Sequence, residues 1–298
     1  MRACLVVNTQ SGRSDSRKAA KLPKLLADRG IEIERSWLVP TDVELRKRVK
    51  RAAKSEAELI IVGGGDGSIA TAVDVLAKGK TVLGVLPLGT GNSFARTIGI
   101  DDDDVATAID ALATGRVERV DLGRIDGTYF ANFATIGLSS DIAEHVPRPL
   151  KQLFGAAAYV LAGFAPFFRA RPFSADIAWD GGKRRIQTQQ IVIASGRYYG
   201  HQPITPDASA VDHRLKLFTT TGVSHAEVAR MYLALGAGLQ NELPDAVEIS
   251  AREIEIRTTP KQRISLDGNQ YGKTPATFRV APLALHVIVG PTFKATPE

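Results

Sequence analysis

The sequence predicts an α/β N-terminal part built on a parallel sheet, followed by a mostly antiparallel β C-terminal part. Three observations carry this. Before about residue 122, short apolar runs alternate with segments of helical period. After it, the runs are short, often alternating, and bounded by turn residues. The chain has 298 residues, which at ~100–200 per domain suits two domains. Parallel pairing is expected in the first part because a parallel crossover takes a dozen or more residues, which a helix supplies. The expected division is 1–122 and 123–298, with room for the C-terminal tail to return to the first domain.

Arg2 to Val7 reads as a buried strand ending in the polar turn Asn8-Thr-Gln-Ser-Gly12. Lys18 to Arg29 reads as a helix with Leu22, Leu25 and Leu26 on one face and Gly30 as its stop. Ile31 to Leu38 is the next strand, and Thr41-Asp42 can cap a helix through Val43 to Ser55. Leu59 to Val62 is the third strand, followed by glycines and a helix Ile69 to Ala77; Val82 to Leu86 is the fourth. Asp101–Asp104 precedes a helix at Val105 to Leu112, where carboxylates complement the positive end of the helix dipole.

In the second part, strands are expected at Tyr129–Phe133, Ser174–Trp179, Arg185–Ala194, Leu215–Thr219, Ala246–Ile249, Glu253–Thr258 and Leu283–Val289. Asp180-Gly-Gly182, Asp267-Gly268 and Pro282 mark turns. Helices are expected around Leu150–Phe168 and His225–Gly236.

Composition narrows the function classes. Hydrophobic residues are 44% and charged residues 23%, the balance of a chain able to bury a core. One cysteine, Cys4, excludes an internal disulfide. The net charge of +6 tolerates phosphates or an anionic membrane surface, while 6% aromatics without a basic-aromatic cluster argue against nucleic acid. The N-terminus lacks a signal-peptide pattern. The apolar run Phe154 to Phe168 is shorter than the ~20 residues of a spanning helix. A cytoplasmic protein is expected. The Phe154–Phe168 run, with Lys151, Arg169 and Arg171, offers transient contact with an anionic bilayer.

The chemistry concentrates in Ile60-Ile-Val-Gly63-Gly64-Gly65-Asp66-Gly67-Ser68, where a buried strand runs through glycines into a helix. Glycines let backbone approach a ligand, and a helix N-terminus offers unpaired N–H groups to an anion. Ser68 could cap the helix or meet phosphate; Asp66 would need a metal ion or hydroxyl between itself and bare phosphates. A second glycine element, Leu86-Pro-Leu-Gly89-Thr90-Gly-Asn92-Ser-Phe-Ala-Arg96, also follows a strand and should emerge at the same sheet edge, where α/β sheets bind ligands. Neither loop matches a Walker A sequence or a dinucleotide fingerprint.

Gly64-Gly-Asp-Gly-Ser68, Pro87-x-Gly-Thr-x-Asn92 and Phe94-Ala-Arg96 resemble the diacylglycerol kinase catalytic domain family, which includes bacterial lipid kinases and sphingosine kinases. Asn8 to Gly12, Val120 to Gly123, Tyr129 to Asn132, Ile136-Gly137, Pro206 to Ala208 with Asp212, and Leu266 to Gly268 extend the likeness over most of the chain. NAD kinases and phosphofructokinases share Gly-Gly-Asp-Gly, but their further motifs are missing. The resemblance implies an NAD kinase/diacylglycerol kinase-like α/β domain, a β-sandwich-like second domain, and ATP in the cleft between them. It implies nucleotide contacts at Asn8, Thr41, Gly63 to Ser68, Gly89, Thr90 and Asn92. It also implies a structural Mg²⁺ at Asp212, with main-chain oxygens of Ser209 and Arg214. The implied activity is ATP-dependent phosphorylation of a lipid hydroxyl such as that of diacylglycerol, with Asp66, Asp267 and position 269 at the reacting end.

Three positions depart from the family pattern. The usual Asp-Gly-Glu reads Asp267-Gly268-Asn269, replacing the family's general-base glutamate with an amide. The usual Asn-Asp reads Asn92-Ser93, and the usual Asp-Gly of the metal loop reads Asp212-His213. An amide cannot take a proton, which leaves three readings: a kinase slowed but not abolished, Asp66 or Asp267 as a substitute, or a chain that binds nucleotide or lipid with weak catalysis. Sequence leaves the lipid and the choice between monomer and homodimer open.

Overall fold

The computed structural model describes residues 2–11, 16–55, 57–100, 104–137, 171–199, 202–203, 209–237 and 239–295. The expected helix Leu150–Phe168, Lys151, Arg169, Gly12, Asp101 to Asp103 and Pro206 to Ala208 lie outside them.

In the first part, β1 (Ala3–Asn8) leads to the short helices α1 (Ser16–Ala19) and α2 (Leu22–Ala27). There follow β2 (Ile33–Val39), α3 (Asp42–Lys54), β3 (Leu59–Gly64), α4 (Asp66–Leu76), β4 (Val82–Pro87), α5 (Ser93–Thr97) and α6 (Val105–Thr114). The four strands pair in parallel in the order β2-β1-β3-β4. β1 and β3 are buried on both faces, as their continuous apolar runs require. The helix expected over Lys18–Arg29 is broken, because Pro23 has no N–H to donate and is tolerated only in a first turn. α4 begins at Asp66, three residues ahead of the sequence reading, so the glycine loop is a tight strand-to-helix transition.

The second part begins with β5 (Arg116–Ile125), β6 (Thr128–Phe130) and β7 (Phe133–Gly137). It continues with β8 (Phe173–Trp179), β9 (Gly182–Thr188), β10 (Gln190–Ala194), the short β11 (Tyr198–Tyr199) and β12 (Gln202–Pro203), and β13 (Leu215–Thr220). After α7 (His225–Ala237) come β14 (Ala246–Ala251), β15 (Glu253–Thr259), β16 (Arg263–Leu266), β17 (Asn269–Lys273) and β18 (Ala276–Val289). The single strand expected over Arg185–Ala194 is two, and they belong to different sheets: β9 pairs β8, whereas β10 pairs β7 and β13.

β18 joins the two parts. Its first half pairs β15, and its end touches β4 in parallel through Val287 and Leu83. β5 runs antiparallel along both stretches, so residue 122 lies inside a strand that spans them. Pro282 does not end β18. It sits in a register shift between Ala281 and Leu285, with Leu283 at φ +47°. A bulge is where a strand tolerates proline, and here the buried Asp121 carboxylate accepts Leu283 N at 2.8 Å.

A second, fully antiparallel sheet has the order β14-β13-β10-β7-β16-β17. It packs on the far part of the first sheet, with Ile136, Ile193, Leu217 and Ile264 against Phe173, Ile177, Ile254 and Phe278 in one core. Among the described residues, no helix is long and apolar enough to cross a membrane.

Candidate nucleotide and acceptor cleft

β3 and β4 are adjacent and in register, Gly64 opposite Pro87, so both glycine loops leave the same end of the sheet. They touch through backbone. A Cβ on Gly89 would lie 2.5 Å from Gly65 Cα, and one on Gly64 would lie 2.5 Å from Ser68 Cβ. No side chain fits at either place, which is why glycine is needed there. Asn92, in the left-handed region at φ +48°, closes its loop by accepting Gly89 N and donating to Gly89 O, both at 3.0 Å. Thr90 is exposed at the rim, and Gly63 packs against Leu88 and Val7.

Asp66 is bound to the backbone of the second glycine element. Its Oδ1 accepts Ser93 N at 2.8 Å, Asn92 N adds a second bond, and Gly91 has no Cβ because one would overlap Oδ2. The carboxylate therefore staples the first glycine loop to the start of α5. Burial pushes its pKa up, partly offset by the two amides and by the Arg96 charge. The Arg96 guanidinium donates to Gly91 O. Ser93, where the family usually has an acid, supplies an amide to this staple.

Asn8, at the end of β1, is buried and donates from Nδ2 to Ser68 Oγ at 3.0 Å and to Asp42 Oδ1 at 2.9 Å. Ser68 Oγ donates to the same Asp42 Oδ1 at 2.7 Å. Ser68 thus does not cap α4, whose N-cap position is Gly65. Thr41 does cap its helix, accepting Glu44 N at 3.2 Å. Asp104 holds the N-cap position of α6 but makes no side-chain capping bond.

The other wall comes from the second sheet. Asp267 and Gly268 form the two-residue turn between β16 and β17, both with positive φ, +45° and +80°. Asp-Gly suits such a turn, whose twist matches the flanking strands. The Asp267 carboxylate is buried and taken by three amides: Ala131 N at 2.8 Å, Asn132 N at 2.9 Å and Phe133 N at 3.0 Å. Burial raises its pKa to about 6 against those bonds, with the Asp66 charge adding to the rise. Asp267 was expected beside an incoming hydroxyl; its oxygens instead serve the β6–β7 connection. Asn269 is exposed and faces the first glycine loop: a Cβ on Gly67 would lie 3.9 Å from Asn269 Nδ2 and 3.4 Å from Asp42 Oδ2.

Ser209, Asp212 and Arg214 gather elsewhere, beside β5 and β14. Ser209 Oγ accepts Val211 N at 3.3 Å, and the Arg214 guanidinium donates to Ser250 Oγ at 2.8 Å. His213, at φ +58°, bonds Asp121 through its amide at 2.7 Å and Nδ1 at 3.0 Å. A hard divalent cation takes about six oxygens. Asp212 Oδ1 accepts Arg214 N at 3.0 Å, and Oδ2 lies 3.7 Å from the Lys216 ammonium, with both side chains nearly enclosed. Asp212 is the one carboxylate of the three, and each of its oxygens keeps a lone pair beyond these contacts, so a cation there would draw its other ligands from main-chain oxygens and water. Among the described residues, no cluster of three His, Cys, Asp or Glu side chains could hold a metal.

Sequence reasoning passed over Asp42 as a site residue, reading it only as part of a helix cap. Its position next to Thr41 carries no distinguishing signal. Only the fold sets it beside Gly67 and Asn269.

Comparison with known proteins agrees with this architecture. Residues 2–125 match the diacylglycerol kinase catalytic domain, and residues 132–289 match the YegS C-terminal NAD kinase beta sandwich-like domain. A protein named diacylglycerol kinase from Bacillus subtilis is 28% identical, over 97% of this chain and 96% of its own. One named "Probable lipid kinase YegS-like" from Pseudomonas aeruginosa is also 28% identical, over 95% and 92%. The crystal structure of a diacylglycerol kinase from Bacillus anthracis superposes with a TM-score of 0.75 over 98% of each chain, at 21% identity, a likeness of fold.

Proposed function

The chain belongs to the diacylglycerol kinase catalytic domain family, and from that premise we propose that it is a lipid kinase moving the γ-phosphoryl group of ATP to a hydroxyl of a lipid such as diacylglycerol. The observation that carries this reading is the facing of two walls. On one, backbone-packed glycine loops open at the ends of β3 and β4; on the other, the 266–269 turn brings Asn269 opposite Gly67.

The family implies ATP as donor and a divalent metal, for which Asp212, with main-chain oxygens of Ser209 and Arg214, is the candidate site. Phosphates would settle on the first turn of α4, where N–H groups and the helix dipole favour negative charge. Gly64, Gly65, Gly67 and Gly89 let the backbone approach them. Asn8, Ser68 and Asn92 hold the loop shape through the hydrogen bonds above, and Thr90 stands at the rim. Asp66, turned onto the Ser93 amide, keeps its charge off the phosphates. Asp267 positions the acceptor wall, and Asn269 offers an N–H to an oxygen crossing the cleft. Phosphoryl transfer draws most of its acceleration from positioning and charge stabilisation, so this arrangement can act without a glutamate at 269.

The lipid would arrive from a membrane that the protein visits at its surface. The test is mass spectrometry of a lipid panel after incubation with γ-labelled ATP. A phosphorylated lipid is expected; no labelled lipid and no lipid-dependent ADP across the panel overturns the proposal.

A further inference from the structure

We infer that Asp42 is the general base of this kinase, taking over the part that Asn269 cannot play. The inference rests on the lipid kinase reading above. Three acids near the glycine loops are committed to backbone amides: Asp66 to Ser93 and Asn92, Asp267 to residues 131–133, and Asp74 to Tyr129, with Asp74 also paired to Arg46 at 2.8 Å. Asp42 differs. Both of its hydrogen bonds, from Asn8 Nδ2 and Ser68 Oγ, fall on Oδ1, which fixes the carboxylate plane. Oδ2 is left facing Gly67, and Asn269 Nδ2 approaches the same point from the opposite wall, each within 4 Å of it. Asp42 is half-buried, so it can return a proton to solvent.

A hydroxyl between these groups would accept from the Asn269 amide and donate to Asp42 Oδ2. The acceptor oxygen then forms its bond to the γ-phosphorus as the bond to the β,γ-bridging oxygen breaks. The hydroxyl proton goes to Asp42 Oδ2, and ADP leaves with the electron pair. A general base contributes ~10²–10⁴ in rate, with geometry deciding first whether a group can serve.

Four proteins test this: wild type, Asp42→Asn, Asn269→Glu and the double variant. The Asp42→Asn amide oxygen can still accept from Asn8 and Ser68, so melting temperature and nucleotide affinity should hold while kcat falls ~100-fold or more. In the double variant the new glutamate should recover at least ~10-fold of that loss, which a purely structural role would not allow. Wild-type kcat in Asp42→Asn overturns the inference and leaves the kinase reading standing. So does a loss in folding or nucleotide affinity that Asn269→Glu fails to rescue. Turnover that appears only with glutamate at 269 shows a competent scaffold in which Asp42 does not suffice. No turnover in any of the four removes both readings.

Discussion

Two Asp-Gly steps, Asp66-Gly67 and Asp267-Gly268, face each other from different sheets and look alike in sequence. Each aspartate spends its carboxylate on the backbone of a neighbouring segment, Asp66 on the start of α5 and Asp267 on residues 131–133. The difference lies in what each wall is made of. The glycine wall is shaped by backbone meeting backbone, where a single added carbon collides. The turn wall is shaped by one buried charge holding three amides. A motif acid therefore need not be a reacting acid; its free oxygen has to be found in three dimensions.

The glycine wall breaks most sharply. Gly89→Val drives a branched side chain into Gly65 Cα, and nucleotide affinity should fall ~100-fold or more while helix content by circular dichroism stays near wild type. Retained affinity would mean that the backbone contact does not shape the site.

The turn wall should fail through stability. Asp267→Asn turns an NH₂ toward a backbone N–H and should cost about 2–3 kcal/mol in denaturant unfolding near pH 5. In the folded protein the pKa of Asp267 is raised from 3.8 to about 6. Its stabilising contribution is therefore full below about pH 4 and is lost as pH rises through 6. The gap between wild type and variant should narrow between pH 4 and 7; a constant gap would contradict the raised value.

A third charge, Lys216, stands beside the 209–214 loop. Lys216→Ala leaves Asp212 nearly enclosed without its tethered cation and should cost about 1–3 kcal/mol. A chelator should lower the wild-type melting temperature by removing the cation proposed at Asp212. An unchanged melting temperature would leave Asp212 without a metal. The smallest effect is expected at Thr41, whose exposed hydroxyl caps α3: Thr41→Ala should cost about 1 kcal/mol and leave nucleotide affinity near wild type.

Much of the fold was legible because local chemistry dictates it. The buried runs at 3–8 and 59–64 carry no charge to expose, Asp267-Gly268 is a hairpin turn on its face, and the paired glycine loops follow their strands. β5 escaped because its exposed charges mask a strand buried only toward its end. β18 was cut short because proline normally ends a strand, and the bulge at 282 depends on Asp121, far away in sequence.

Sequence by itself determined the α/β-then-β order, the two glycine loops and the family, since glycine spacing and apolar period are local properties of the chain. Only the tertiary structure decided which carboxylate has an oxygen to offer. Whether an acid is satisfied depends on amides that arrive from other strands, as 131–133 reach Asp267, Ser93 reaches Asp66, and Lys216 and Arg214 close on Asp212. By the same rule Asp42 keeps Oδ2 toward the cleft, a placement that no spacing along the chain encodes.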